Sequence, residues 1–172
     1  MLWAYIFING SSESEWLRSL FYFPHAARVL CVVYFGYKAI PGLYLAELFG
    51  PYIIDPGFYS FPIYITSLIS VLAVPFSLSM LNSLGLTLGQ TISSPLNRRN
   101  YKHIFLITFI SAGFNSLLVN LYLSRNNLSY ANAITDIDQV LSFFIGDIFG
   151  TVLVFIFLGL LLKPILKQAQ NQ

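Results

Sequence analysis

Apolar stretches, most of them near the ~20 residues that a helix needs to cross a bilayer, follow one another along the chain with short polar connections between them. After the apolar opening "MLWAYIFING", the first polar stretch is "SSESEWLRS", residues 11–19, whose capping residues predict a helix start near Ser14. That helix runs on through "LFYFPHAARVLCVVYFGYK", with Pro24 inside it as a kink or as the true start. In "AIPGLYLAELFG", Pro41 and Gly42 are placed to open a second segment, which ends at "GPYIIDPG". At about a dozen residues it is short for a crossing. It is expected to be tilted, broken or re-entrant, which lipid tolerates only where protein covers the exposed backbone. Phe58 to Leu84 is long enough to cross with tilt, and Pro75 in its middle predicts a kink. "HIFLITFISAGFNSLLVNLYLS", residues 103–124, reads as a clear span, and Val140 to Leu166 as the last one. The polar, turn-rich stretches at 85–102 and 125–138 connect them. The pattern predicts one domain over residues 1–172: an all-α, polytopic membrane helix bundle of about five membrane segments.

Composition excludes the soluble alternative. The 172 residues are 56% hydrophobic and only 9% charged, with a mean hydropathy of +0.71, whereas soluble domains carry about 25% charged residues. The net charge of +2 is small and the basic residues are dispersed, so nucleic-acid binding has no electrostatic footprint. Cys31, the single cysteine, excludes an intramolecular disulfide and a cysteine-based zinc cluster, and reads as a small packing residue. Residues 1–13 lack both a basic n-region and a small-residue cleavage site. They are expected to form an interfacial anchor, with Trp3 and Tyr5 at headgroup depth. If five segments alternate, Lys38, Arg98, Arg99, Lys102, Lys163 and Lys167 share one side, and Arg18 and Arg125 the other. The basic excess places the first group, the 85–102 loop and the C-terminus in the cytoplasm, with the N-terminus and the 125–138 loop outside.

Away from the ends of the expected spans lie four ionisable residues: His25, Arg28, Glu47 and Asp147. An unpaired intramembrane charge costs about 2.5 kcal/mol or more, so these groups are expected to face the bundle interior. His25 and Arg28, three apart, share a helix face, and Arg28 is expected to pair with Asp147 or Glu47. Such a centre serves to dock helices, to form a polar ligand pocket or sensing switch, or to pass protons or ions. Asp147 sits in "GDIFG" between Gly146 and Gly150, a small-xxx-small spacing that lets a neighbouring helix come close. The alternative for Asp147 is a position near the outer headgroups, about two turns from the polar loop. Asn115 and Asn120, with Ser111 and Ser116, give the fourth segment a polar face suited to interhelical hydrogen bonds or to a pocket. Phosphate-loop, GxSxG, HExxH and paired-carboxylate signatures are missing, so no enzyme is expected. His25 alone does not establish a haem or chlorophyll ligand, and no cofactor or metal is assigned.

"FPHAARVLCVVYFGYKAIPGLYLAELFG", together with "FFIGDIFGTVLVFIF", resembles the first type of membrane-associated sensor (MASE) domain of bacterial signalling proteins. The matching positions are Pro24, Gly36, Pro41, Gly42, Gly146, Asp147 and Gly150, while "HAAR" and the Ala46–Glu47 pair depart from the pattern. The resemblance implies a multi-pass module of the bacterial inner membrane, here followed only by "LKQAQNQ" rather than by a kinase or cyclic-dinucleotide domain. Gly36, Pro41, Gly42, Gly146 and Gly150 are then expected to pack helices. The expected role is that of a sensor-like or adaptor subunit, embedded in the lipid bilayer and read by another membrane protein or by a second copy. An accessory subunit of a larger membrane complex, pigment-bearing or energy-transducing, and a small-solute transport or substrate-binding subunit are the competing expectations.

Overall fold

The computed structural model describes residues 22–54, 61–86, 101–125 and 137–169, and every element among them is helical. In chain order these are α1 (Phe23–Phe35), a 3-10 turn (Gly36–Ala39), α2 (Ile40–Ile54), α3 (Phe61–Ser83), α4 (Tyr101–Arg125) and α5 (Ile137–Ala169). Pro24 stands in the first turn of α1, where its missing N–H and fixed φ favour a helix start. It therefore opens the helix rather than kinking it. The interfacial segment expected at 1–13, the start expected near Ser14 and the middles of both polar connections lie outside the described residues. α3 continues unbroken through Pro75.

Between α1 and α2 the chain folds back on itself. Gly36 closes α1 with φ +63, a backbone conformation open to glycine and strained for other residues, and its N–H donates to the Val32 carbonyl. Arg28 Nε donates to Glu47 Oε1 at 3.1 Å, although one straight helix would hold residues 19 positions apart roughly 28 Å from each other. α1 and α2 are thus the arms of a helical hairpin, and Arg28 and Glu47 face each other at equal distances from its turn.

The expected bundle of membrane helices is present, and its expected count of about five is not reached among the described residues. Among the described residues, four helical stretches are long and apolar enough to cross a membrane: Phe23–Gly50, Phe61–Ser83, Lys102–Arg125 and Val140–Leu161. At 13 and 15 residues, α1 and α2 are each shorter than the ~20 of a full crossing, and together they form one of the four stretches, bent at Gly36.

Burial runs opposite to that of a water-soluble bundle. Leu117, Leu121, Phe149, Phe157 and Leu160 are among many large apolar side chains that face outward, a contiguous surface that water disfavours and lipid accepts. Half of the apolar window of α4 is buried, more than in the other three stretches, which makes α4 the central helix. Its buried positions recur as Ile104, Ile107, Thr108, Ser111, Asn115 and Val119, a stripe with helical period whose middle is polar.

The interior is layered. Val29, Val32 and Val33 of α1, Val74 and Leu81 of α3, and Ile104 and Ile107 of α4 form one apolar cluster, with Leu43 of α2 and Phe155 of α5 against it. Beside it lies a polar layer containing His25, Arg28, Ser111, Asn115 and Asp147. Along α1 and α5 the chain passes from the polar layer to the apolar one; along α4 it passes the other way.

α5 touches the start of α1 through Gly150, where an added Cβ would lie 2.6 Å from the Tyr22 carbonyl oxygen and 2.9 Å from its nitrogen. Those are backbone atoms and cannot swing aside. Gly150→Ala is therefore expected to cost about 1–3 kcal/mol through overpacking. Gly159→Ala, on the same helix with nothing within 4 Å, is expected to stay within about 0.5 kcal/mol. Unfolding of both variants in mixed-detergent titrations checks the contrast.

Candidate functional site: a buried polar centre

The centre is assembled by helix periodicity. On α1, His25 and Arg28 are one turn apart and share the inward face, at 0% and 1% exposure. On α4, Thr108, Ser111 and Asn115 follow at intervals of three and four and turn the same way. α5 contributes Asp147 and Thr151, and α2 contributes Glu47.

Arg28 is held on two sides. Its Nη2 and Nε both donate to Glu47 Oε1, and Nη2 also donates to the Tyr22 hydroxyl at 2.9 Å. The guanidinium carbon lies 5.3 Å from the centre of the Tyr22 ring, within cation–π range. The Glu47 side chain keeps 11% exposure, so this pair sits at the edge of the centre, between the hairpin arms.

Asp147 answers to different groups. Asn115 Nδ2 donates to Asp147 Oδ2 at 2.7 Å, and His25 Nδ1 approaches the same oxygen at 3.6 Å. On the far side of the imidazole, Nε2 meets Ser111 Oγ at 3.1 Å, and the Ser111 hydroxyl also lies 3.2 Å from the Thr108 carbonyl. Thr151 Oγ1 donates to the Asp147 carbonyl one turn back, at 2.7 Å. A chain of polar groups, hydrogen-bonded except across the 3.6 Å between His25 and Asp147, therefore crosses the bundle from Thr108 on α4, through His25 on α1, to Asp147 on α5, and returns to Asn115 on α4.

Of the two partners expected for Arg28, the structure shows Glu47 in contact, while Asp147 bonds to Asn115 and faces His25. The physical reason is the hairpin, which brings Glu47 directly opposite Arg28 and leaves Asp147 to the α4 and α1 side chains at its own level. Asp147 is 1% exposed, so its carboxylate is enclosed by the bundle rather than snorkelling outward.

The glycines and proline divide by role. Gly150 makes a close crossing and Gly146 is buried. Gly36 makes a turn and has open space around it. Pro41 and Gly42 are exposed, and nothing lies within 4 Å of a Cβ added at Gly42. These two do not pack helices among the described residues: the hairpin turns just before them and leaves them on its outer surface. Asn120 is buried and donates to the Ser116 carbonyl of its own helix at 2.7 Å, so it bonds along α4 rather than across the bundle.

Tyr22, Thr108 and Thr151 take part without having been singled out by the sequence. Tyr22 reaches Arg28 because the helix begins one residue later; a helix drawn from Ser14 would have put the two on different faces. Thr108 was signalled by its spacing with Ser111 and Asn115. Among the described residues no group of three His, Cys, Asp or Glu side chains is placed to hold a metal ion.

Four buried atoms of this centre have no hydrogen-bond partner among the described residues: His25 Nδ1, Arg28 Nη1, Asn115 Oδ1 and Asp147 Oδ1. Buried polar atoms are nearly always satisfied, so a concentration of four open ones makes this centre the candidate site.

Arg28→Glu or Glu47→Arg alone is expected to cost about 3–5 kcal/mol by stranding a buried charge. The double exchange is expected to recover part of that loss, whereas exchanging Arg28 with Asp147 is not. Asn115→Ala is expected to cost about 0.6–1.7 kcal/mol, the range of interhelical hydrogen bonds in membranes. Unfolding of purified variants in lipid-like detergent measures all of these. No protein-family model, curated protein or solved structure matches this chain.

Proposed function

We propose that this chain is a non-enzymatic, sensor-like or adaptor subunit of a bacterial inner membrane. In this reading the state of its polar centre sets how α1 and α2 pack on α4 and α5, and its apolar exterior presents that packing to a partner membrane protein or a second copy. The observation that carries the reading is the centre itself. Charged and polar side chains from four helices meet in the interior, with polar atoms left over, so a change of charge or occupancy there changes which helix arrangement is best satisfied.

The resemblance of the Pro24, Gly36 and "GDIFG" positions to the first type of MASE domain supports the same class. The hairpin supports a finer topology. Tyr34, Tyr37 and Lys38 are exposed at its tip, a composition suited to the headgroup region. Exposed Lys102 opens α4 at the same end of the molecule, beside Ile104 of the apolar layer. With that end in the cytoplasm, α1 and α2 are two separate membrane segments, five in all, and the C-terminus is cytoplasmic. Arg28 and Glu47, eight positions from the turn on either arm, then lie roughly 12 Å inside, near the middle of a core about 30 Å thick.

Isolation of the native protein in a mild detergent tests the proposal. The expected result is a partner protein or second copy in fixed ratio, with the ratio reduced in a folded Glu47→Gln variant. Recovery of the wild-type chain alone, or an unchanged ratio in the variant, would count against it.

A further inference from the structure

We infer that the His25–Asp147 pair is a binding site for a single proton, which completes the charge of the buried centre. This deepens the proposed function, and rests on its reading of the centre as the part of the molecule that sets its state.

The charge count points there first. Among the described residues, every charged or titratable group facing the pair can be named. Arg28 lies on α1, one turn from His25, with the Tyr22 hydroxyl beside it; Glu47 lies on α2 against Arg28; Asp147 lies on α5. α4 contributes the neutral Thr108, Ser111 and Asn115, and α3 carries no charged residue. With His25 neutral and both carboxylates ionised, one cation faces two anions. An uncompensated charge in a low-dielectric interior is costly, and one added proton removes it.

Hydrogen-bond geometry says where that proton goes. The Ser111 hydroxyl has one hydrogen and two acceptors within reach, the Thr108 carbonyl at 3.2 Å and His25 Nε2 at 3.1 Å. If it donates to Thr108, Nε2 carries hydrogen and donates to Ser111 Oγ. Nδ1 then turns a lone pair toward Asp147 Oδ2, 3.6 Å away. A lone pair facing an ionised carboxylate is repelled, whereas a hydrogen held on the Asp147 carboxyl and donated to Nδ1 makes a hydrogen bond that draws the two together. The opposite tautomer, with Ser111 donating to Nε2 and hydrogen on Nδ1, satisfies the contact but leaves the extra negative charge in place. Only the protonated arrangement meets both requirements. Asn115, whose amide donates to Oδ2, fixes the carboxyl for either state. The site needs no cavity and no further ligand, which distinguishes it from a site for a metal cation: among the described residues no three His, Cys, Asp or Glu side chains are placed to hold one.

Infrared titration of the full chain in lipid nanodiscs tests this without any partner, so its failure is separate from failure of the proposed function. The wild-type protein should show a protonated-carboxyl band at neutral pH that shifts on carbon-13 labelling of aspartate and not of glutamate. Asp147→Asn should abolish it. Glu47→Gln, which removes the negative charge that the proton offsets, should move its disappearance to lower pH by about one unit or more. The labelled wild-type measurement stands even if Asp147→Asn fails to fold. Absence of the band between mildly acid and neutral pH, its insensitivity to aspartate labelling, or its displacement by sodium at constant pH and ionic strength would overturn the inference.

Discussion

A guanidinium buried among apolar helices must find an anion, and the contact between Arg28 and Glu47 is how this chain meets that requirement. The rest of the architecture follows from it. Meeting a partner 19 positions away forces the chain to double back, which gives Gly36 its left-handed turn and makes α1 and α2 a hairpin rather than a rod. Because Glu47 occupies Arg28, Asp147 is left to Asn115 and His25, and the centre becomes two polar units joined through one turn of α1.

The two units differ in character. The arginine unit is saturated on one side by a carboxylate, a phenol hydroxyl and an aromatic face, and it sits where the hairpin arms meet. It fixes geometry. The histidine unit is built from groups whose hydrogens can be arranged in more than one way, and it lies across three helices. It is suited to change. In the proposed function, this combination of one rigid and one adjustable polar contact is what converts a local event into a shift of helix packing.

Much of this is legible in the sequence, for physical reasons. The spans of α3, α4 and α5 are visible because lipid demands long uninterrupted apolar helices, and the inward residues are visible because lipid rejects charge: His25, Arg28 and Asp147 are all buried as that rule requires. Gly150 is visible because its spacing with Gly146 marks a close crossing, although its neighbour proves to be the Tyr22 backbone. What the sequence does not resolve is which anion takes which cation. Counting charges leaves Asp147 and Glu47 equivalent partners for Arg28, and only the path of the chain around Gly36 separates them. The same turn explains why Pro41 and Gly42, which look like packing positions, end on the outer surface. Tyr22 is hidden because its role depends on where the helix begins, and a phenol outside the helix carries no periodic signal.

The fold-back at Gly36 is therefore the claim on which the others stand, and a distance across the hairpin tests it most directly. Ala27 and Ala46 are both exposed, one beside Arg28 and one beside Glu47. Spin labels at Ala27→Cys and Ala46→Cys, in a Cys31→Ser background and in lipid bilayers, should give a narrow distribution of electron–electron distances centred below about 20 Å. A distribution centred near the ~28 Å of a continuous helix would contradict the hairpin, the pairing of Arg28 with Glu47, and the polar centre built upon it.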